Sequence, residues 1–420
     1  MLLIAGCATD TGERTDRHPP PAPEETRALT GRLLPPKTPD AAGWAADIQV
    51  AFSLLGLAPT PESLCAVIAV IEQESSFRAD PAVPNLGTIA RKEIDVRADR
   101  LGIPSLVVRT ALRLESPDGR SYRDRIDAAK TERELSEIFE DLIGAVPLGK
   151  RLFAGWNPIR TGGPMQVAIA YAEAHAADKR YPYADAGSIR REVFTRRGGL
   201  YFGIAHLLDY PASYDRSLYR FADFNAGQYA SRNAGFQNAL RLLTGTALAL
   251  DGDLVRQRNG VATEPGETER AARSAGPQIA LDDAAIRRAL LQGTGPGFDR
   301  TELYRRVFAL ADERRGAPLP RAVLPQIRLQ GPKISRNLTT AWFAERVDGR
   351  RARCLARIGP PAGRAGRSQH EDLARIEEMS RVERDLDSPH QVQRVLAGLL
   401  REEPHLVQAD AVLPGTGPVQ

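Results

Sequence analysis

The sequence is poor in the residues that build metal sites and disulfide frameworks. It contains three cysteines and six histidines among 420 residues, with no Cys-x-x-Cys pair and no metal-ligand spacing among the histidines. We therefore predict no structural zinc, no other metal site and no cofactor. Two of the cysteines, Cys65 and Cys354, have two interpretations, either a disulfide or unpaired thiols in apolar surroundings.

A strong charge of one sign and long apolar runs are also missing. The chain has 57 basic and 53 acidic residues, a net charge of +4, and aromatic residues make up only 6% of it. Because no basic run is interleaved with aromatic residues, the sequence does not predict a nucleic-acid partner. No apolar run has the length that a membrane-spanning helix needs. The 42% of hydrophobic residues is enough for a sizeable core.

Helical periodicity dominates the chain, so the predicted fold class is all-α, or α-dominated. Changes in composition divide the sequence into five predicted parts. These are a lipoprotein signal remnant (1–7), a Pro-rich tether (8–40), a main domain (41–250), an accessory helical region (251–358) and a charged, loosely ordered tail (359–420). Within the accessory region, residues 260–276 are predicted to be a polar linker.

The amino terminus resembles the end of a bacterial lipoprotein signal. Residues 1–7 read MLLIAGC, although they lack a basic segment and their apolar run is short. The resemblance implies a lipid anchor on Cys7, and Ala8 after it implies the periplasmic face of the outer membrane. The prolines of residues 8–40 then predict an extended, semi-rigid tether between the membrane and the main domain.

The main domain is predicted to be organised around the helix that begins near residue 61. Thr60 is a suitable cap, Pro61 suits the first turn, and residues 64–71 are apolar nearly all round, so this helix should be buried. A carboxylic acid at the end of a buried helix is partly removed from water, which raises its pKa and suits it to donate a proton. Glu74 is therefore the candidate general acid, whereas Glu72 projects from the opposite flank.

Three short stretches of the sequence, one of them at the end of this helix, carry a recognisable pattern. Residues 74–77 read ESSF, residues 162–167 read GGPMQV, and residues 221–227 read FADFNAG. In this order they resemble the signatures Glu-Ser-x-Phe, Gly-x-Met-Gln and Ala-x-Tyr-Asn-Ala-Gly of the soluble lytic transglycosylase and goose-type lysozyme superfamily. The resemblance covers roughly residues 45–250, and the whole chain is also similar to a bacterial lipoprotein family of unknown function.

The resemblance implies a lysozyme-like domain that cleaves peptidoglycan. Glu74 would protonate the bond between N-acetylmuramic acid and N-acetylglucosamine, and the product would end in a 1,6-anhydromuramyl group. The glycan strands of the cell wall would be the partner of the site. The resemblance also implies substrate contacts from five other residues, namely Ser75, Met165, Gln166, Phe224 and Asn225.

Two features depart from the superfamily pattern. The separation of Glu74 and Gly163 is several times the usual one, which implies a helical insertion at about residues 84–158 with helices near 103–114 and 131–143. Phe224 stands where relatives have Tyr, so a hydroxyl that helps to orient the acid is absent. The insertion and Phe224 both favour a second interpretation, in which the protein does not catalyse.

The alternatives therefore stay open at this point. One is a non-catalytic peptidoglycan-binding or scaffold lipoprotein, with a protein partner bound through residues 251–420. Another is a hydrolytic muramidase, which needs a second carboxylate such as Asp80 or Asp223. A third is a helical lipoprotein whose three motif matches arose by chance. His206, in a predicted helix over 199–208, is interpreted as a packed histidine rather than a base.

Overall fold

Helices form nearly all of the regular structure, which confirms the predicted all-α class. The computed structural model describes residues 21–100, 102–145, 157–258, 261–328 and 338–359. Cys7 and the tail after residue 359 lie outside these residues. None of the helices within the described ranges has the length and apolarity to cross a membrane.

The first seven helices precede the second motif. They are α1 (Pro23–Leu33), α2 (Ala41–Leu55), α3 (Pro61–Glu74), α4 (Leu86–Arg100), α5 (Ser105–Leu112), α6 (Tyr122–Ala128) and α7 (Glu132–Ala145).

A small hairpin follows, with two residues in each strand. Strands β1 (Thr161–Gly162) and β2 (Val167–Ala168) pair antiparallel, with Gly162 opposite Val167. Five helices come next, α8 (Ile169–Asp178), α9 (Ile189–Val193), α10 (Arg196–Leu208), α11 (Ser217–Ala226) and α12 (Ala230–Thr244).

A second small hairpin, β3 (Gln257–Arg258) and β4 (Val261–Ala262), leads into the last helices of the described ranges. These are α13 (Glu267–Ile279), α14 (Asp283–Leu290), α15 (Glu302–Arg315) and α16 (Thr340–Leu355). Short 3₁₀ turns cover Leu291–Thr294, Phe298–Arg300 and Ala356–Ile358.

Helix α3 is the centre of the first core, as its sequence predicts. The Thr60 side chain accepts a hydrogen bond from the Ser63 amide and so caps the helix, and Pro61 occupies its first turn. All residues from 64 to 71 are buried. Helices α1, α2, α10, α11 and α16 contribute side chains to the same cluster, so α3 is covered on every side.

A disulfide between Cys65 and Cys354 settles the question that the sequence left open. It joins α3 to α16, two helices whose linked residues are 289 positions apart in the chain. The apolar stripe of α16, which includes Phe343, Ala344 and Val347, packs into the first core around this link. Residues near the end of the accessory region therefore complete the core of the main domain.

The second core is built from one continuous stretch of chain, residues 236–319. Phe236, Phe298, Tyr304 and Phe308 form its aromatic centre, with ring centroids 4.6 to 6.5 Å apart. Helix α13 of this core also carries Glu269, whose side chain has no exposed surface. Its carboxylate accepts from Arg273 on the next turn of α13 at 2.6 Å and from Arg287 on α14 at 2.9 Å.

Helices α5 and α7 confirm the two predicted helices of the insertion. A capping box starts α7, since the Glu134 amide donates to the Thr131 hydroxyl and the Thr131 amide donates to the Glu134 carboxylate. The strand-like pairing of Ala82 with Thr131 ties the loop after α3 to this helix start. The insertion thus returns to the end of α3.

Two predicted irregular segments prove to contain helices. Within the described part of the tether, residues 23–33 form α1, because Pro23 suits a first turn, acidic residues follow it, and Leu33 is fully buried in the first core. The predicted linker at 260–276 likewise contains the start of α13. Its buried alanines and Glu269 lie on one face, which tertiary packing stabilises despite Pro277 inside the helix.

Candidate functional site

Glu74 is the last residue of α3 and is half-buried. The next residue, Ser75, is 6% exposed, and its hydroxyl donates to the Ile71 carbonyl at 3.1 Å, which caps the helix end. Ser76 and Phe77 both have positive φ, at 49° and 60°. Such backbone costs about 1–3 kcal/mol per residue for non-glycine side chains, so the surrounding structure must hold it.

The packing of Phe77 keeps this backbone in place. Its ring is buried in the first core and meets the ring of Trp44 edge-on at 5.4 Å. The tight turn after Glu74 is therefore anchored by an aromatic side chain, and the carboxylate is carried at a fixed end of a rigid helix. Ser75, which the resemblance assigns to substrate, lies under this turn with its hydroxyl engaged by the helix.

The second motif forms the turn of the first hairpin. Gly163 has a φ of 74°, and a side chain there would collide with the Val193 carbonyl oxygen, so the turn requires glycine. Met165 is fully buried and lies against Gly203 of α10. The predicted helix from 165 accordingly begins four residues later, at Ile169, because the hairpin occupies the intervening residues.

Gln166 follows with a φ of 50° and a side chain that is already hydrogen-bonded. Its Nε2 donates to the carboxylate of Glu132 at 3.0 Å, and its Oε1 accepts from the Thr161 hydroxyl at 3.3 Å. Glu132 is the first residue of α7 and is buried. The insertion thus places a carboxylate beside the second motif, and no signal in the sequence marked that residue.

The third motif forms the end of α11, and its aspartate has a structural role. Asp223 is fully buried and accepts hydrogen bonds from the Tyr210 and Tyr214 hydroxyls and from the amides of Tyr229 and Ser231, at 2.6 to 3.1 Å. Burial raises the pKa of the Asp223 carboxyl. These four donors surround both oxygens, so Asp223 holds the turn after α11 in place.

Phe224 and Asn225 have different environments. Phe224 packs against the first core, and its carbonyl oxygen lies 3.2 Å from Nε2 of His206, which therefore donates. Burial lowers the pKa of His206 to about 4, so the imidazole is neutral at pH 7, as expected of a packed histidine. Asn225 is exposed, and its Oδ1 accepts from the Thr340 hydroxyl at 3.2 Å.

Helix α16 connects the first and third motifs. Its first residue, Thr340, makes the bond to Asn225. Nearly three turns later Arg350 donates to the carboxylate of Glu72 at 2.8 Å and to the side chain of Gln73 at 3.1 Å. Because both residues precede Glu74 directly, α16 lies along the end of α3 that carries the candidate acid.

The three motifs meet in the first core although they are far apart in sequence. Ile71, Phe77, Met165 and Phe221 are members of one packed cluster, and Phe224 lies against it. Backbone with positive φ is concentrated here. Of the eight non-glycine residues with positive φ in the described ranges, four lie in the motifs or directly after the third, namely Ser76, Phe77, Gln166 and Tyr229.

Comparison with known proteins gives the family. A model of the family described as "Protein of unknown function (DUF1615)" matches residues 37–357. The chain belongs to this family. A DUF1615 relative, the "Uncharacterized protein YaiW" of Escherichia coli (strain K12), is 51% identical over 360 residues, which cover 84% of this chain and 96% of the relative. No solved structure matches the chain.

The matched range of this DUF1615 protein contains all three motifs, the disulfide, α16, the second core and all buried residues of the first core except Leu33 and Leu34. The family match therefore extends well beyond residues 45–250, the part covered by the motif resemblance.

Proposed function

We propose that this DUF1615 protein is a peptidoglycan lytic transglycosylase with Glu74 as its acid and base. The observation that supports the proposal best is the packing of three separate motif stretches into one core, to which α3, the helix that ends at Glu74, also belongs. Strained backbone in the first two motifs, and at Tyr229 two residues after the third, is a second support, since such backbone clusters at functional sites. The proposed location is the periplasmic face of the outer membrane, with a lipid on Cys7.

In the proposed reaction one carboxyl group acts twice. Glu74 protonates the glycosidic oxygen between N-acetylmuramic acid and N-acetylglucosamine while the substrate's own acetamido oxygen attacks the anomeric carbon. The Glu74 carboxylate then removes the proton of the muramyl 6-hydroxyl, whose oxygen displaces the acetamido group and forms the 1,6-anhydro ring. A rigid helix end suits this double role because the same oxygen must serve both steps.

The hydrolytic alternative needs a second carboxylate that activates water, about 6.5–9.5 Å from the acid in an inverting enzyme. Asp223 does not fit this role, because four donors surround its oxygens in the core. Asp80 is paired with Arg133 at 3.0 Å. The transglycosylase reaction, which needs one carboxylate, is therefore the better proposal.

A non-catalytic peptidoglycan-binding or scaffold lipoprotein is the second candidate, and the hydrogen bonds of Gln166 favour its scaffold form. The Nε2 group of Gln166 donates to Glu132 and to the Gly163 carbonyl, so it must exchange an internal hydrogen bond for one to a sugar. Asn225 is less restricted, because only its Oδ1 is engaged, by Thr340.

The first test is digestion of purified peptidoglycan with mass spectrometry of the released fragments. Glu74→Gln keeps the size of the side chain and removes the titrating group, so release of anhydro-muropeptides should fall by about 10²- to 10⁴-fold. Glu72→Gln is the matched control, because Glu72 is two residues away and pairs with Arg350; its activity should stay within a few-fold of the wild type.

Equal activity of Glu74→Gln and the wild type would remove Glu74 from the mechanism. If the products had reducing ends, the protein would be a hydrolytic muramidase rather than a transglycosylase. Sedimentation of the protein with intact wall, without any release of fragments, would favour the binding protein.

A further inference from the structure

A cavity of about 310 Å³ lies between the helix of the third motif and the second core. Four tyrosines line it, Tyr214, Tyr219, Tyr229 and Tyr304, together with the loop that follows α15. Its volume is at the lower end of the range for small-molecule sites, and its position between two packed layers of helices is a common one for such sites.

One wall of this cavity carries a buried cation without an ionic partner. Arg232 is 6% exposed, and its guanidinium lies 4.2 Å from the centre of the Tyr229 ring. Its four hydrogen bonds go to uncharged oxygens, those of the Asn233 side chain and of the Gly293 and Gly295 carbonyls. Asp299 attracts it electrostatically, but no carboxylate of the described residues forms a direct ion pair with it, and one Nη1 hydrogen remains for a ligand.

Another wall carries a carboxylate that is also unpaired. Asp299 lies in the 3₁₀ turn before α15 and lines the same cavity. Its Oδ1 is buried, and no group of the described residues donates a hydrogen bond to it. Buried carboxylate oxygens are normally hydrogen-bonded, so the carboxylate of Asp299 is incompletely satisfied by the described residues.

The other charged residues around the cavity are satisfied or exposed. Arg321 pairs with Asp312 at 2.6 Å and stacks on Phe308, while Asp215 is open to solvent. Arg232 and Asp299 are therefore the charges in this cavity that a ligand would meet without displacing an internal partner.

We propose that this cavity binds the zwitterionic group of an amino acid. The ligand's carboxylate pairs with the guanidinium of Arg232, and its ammonium group pairs with the carboxylate of Asp299. The tyrosine rings cover the ammonium group and favour it over a neutral group through cation–π attraction. A ligand of this kind neutralises both walls at once, whereas a simple anion or cation would leave one charge unpaired.

Two sources can supply this chemistry, namely a free amino acid or the amino-acid end of a wall peptide. The second source rests on the proposed function, because it places the stem peptide of peptidoglycan beside the third motif. The pocket itself does not involve Glu74, so its occupancy and the glycan chemistry are separable by experiment.

Binding is measured by calorimetry on the full-length protein in detergent. The probes are glycine, D-alanine and meso-2,6-diaminopimelate, and the blocked controls are N-acetyl-D-alanine and D-alaninamide, each of which lacks one charge. We expect binding of a zwitterion, and affinity at least about tenfold lower for both blocked forms, the loss of one ion pair. Glu74→Gln should bind the same probe as tightly as the wild type.

Asp299→Asn tests the pocket because it removes the charge and keeps the shape, so affinity for the zwitterion should fall at least about tenfold. Asp215→Asn is the matched control at the exposed rim and should bind normally. If Asp299→Asn loses its native circular dichroism, Tyr219→Ala takes its place, with the same expected loss.

The proposal is overturned if none of the three zwitterions binds at millimolar concentration, or if the blocked forms bind equally well. A soluble muropeptide with a free diaminopimelate end then identifies the source. Tighter binding than that of the free amino acids assigns the pocket to wall peptides, and weaker binding assigns it to free amino acids. In both cases the pocket proposal does not depend on catalysis. It stands even if the wild-type protein cleaves no glycan.

Discussion

Among the three hydrophobic cores of the described residues, the first and the second differ in how the chain assembles them. The second core comes from one continuous stretch, residues 236–319. The first core collects side chains from residues 33 to 77, from Met165, from residues 200 to 224 and from α16 near residue 354. Long loops must close before the first core gains its contacts, whereas the second core forms from near neighbours. The candidate site lies on the core that is harder to assemble.

The two cores also use different devices for stability. The first is apolar throughout at α3 and is fastened by a disulfide between distant residues. The second has no disulfide among its described residues and instead encloses Glu269 between two arginines. If this comparison is correct, each device should stabilise its own core far more than the other one.

Removal of the disulfide should have the largest effect. A crosslink that spans 289 positions restricts the unfolded chain, and the chain-entropy model gives about 6 kcal/mol for a loop of this length. The double variant Cys65→Ala and Cys354→Ala should lose about 2–5 kcal/mol in urea unfolding. Hydrogen exchange should accelerate in α3 and α16 before α13 and α14. Uniform acceleration in both cores would contradict the comparison.

The next effect concerns the second core. Glu269→Ala leaves Arg273 and Arg287 without their shared carboxylate, and breaking a buried ion pair of this kind costs about 3–5 kcal/mol. Thermal unfolding monitors the loss. Asp283→Asn is the control, because Asp283 also pairs with Arg273 but is mostly exposed; its cost should stay below about 1 kcal/mol. An equal loss in the control would refute the role of burial.

Acid should lower the stability through His206, which packs beside the first core, by a smaller amount. Burial lowers the pKa of His206 from 6.5 to about 4, so below pH 6.5 the unfolded chain binds a proton that the native state does not. Stability therefore falls as the pH falls between these values, by about 1.4 kcal/mol near pH 5.5. His206→Gln should flatten this part of the pH profile of urea unfolding. An unchanged slope would show that other groups cause the acid sensitivity.

Local signals predicted much of the fold. The Thr60 cap, the following proline and the apolar run over residues 64–71 gave α3 with its burial, and the stretch near Thr131 gave α7. The pairing of α3 with α16 was not predictable, because a single cysteine on each helix does not show whether the two meet. The helix α13 was missed because its polar and small residues suggest a linker, whereas packing against neighbouring helices of the second core stabilises its amphipathic face.

The site shows the same limit. Sequence patterns named Glu74, Gln166 and Asn225, and the structure places their stretches around one core. The partners of these residues, Glu132 for Gln166 and Thr340 for Asn225, come from the insertion and from α16. Neither segment carries a motif, so nothing in the sequence could link them to the site.

The position of α16 has a consequence for the nascent chain. The apolar surface of α3 is complete once residue 74 has been synthesised, but the helix that covers it and the cysteine that fastens it come only with residues 340–355. During most of translation the apolar surface of α3 is thus incompletely covered and can associate with neighbouring chains. Truncation before Cys354 should therefore yield aggregates rather than a smaller folded domain.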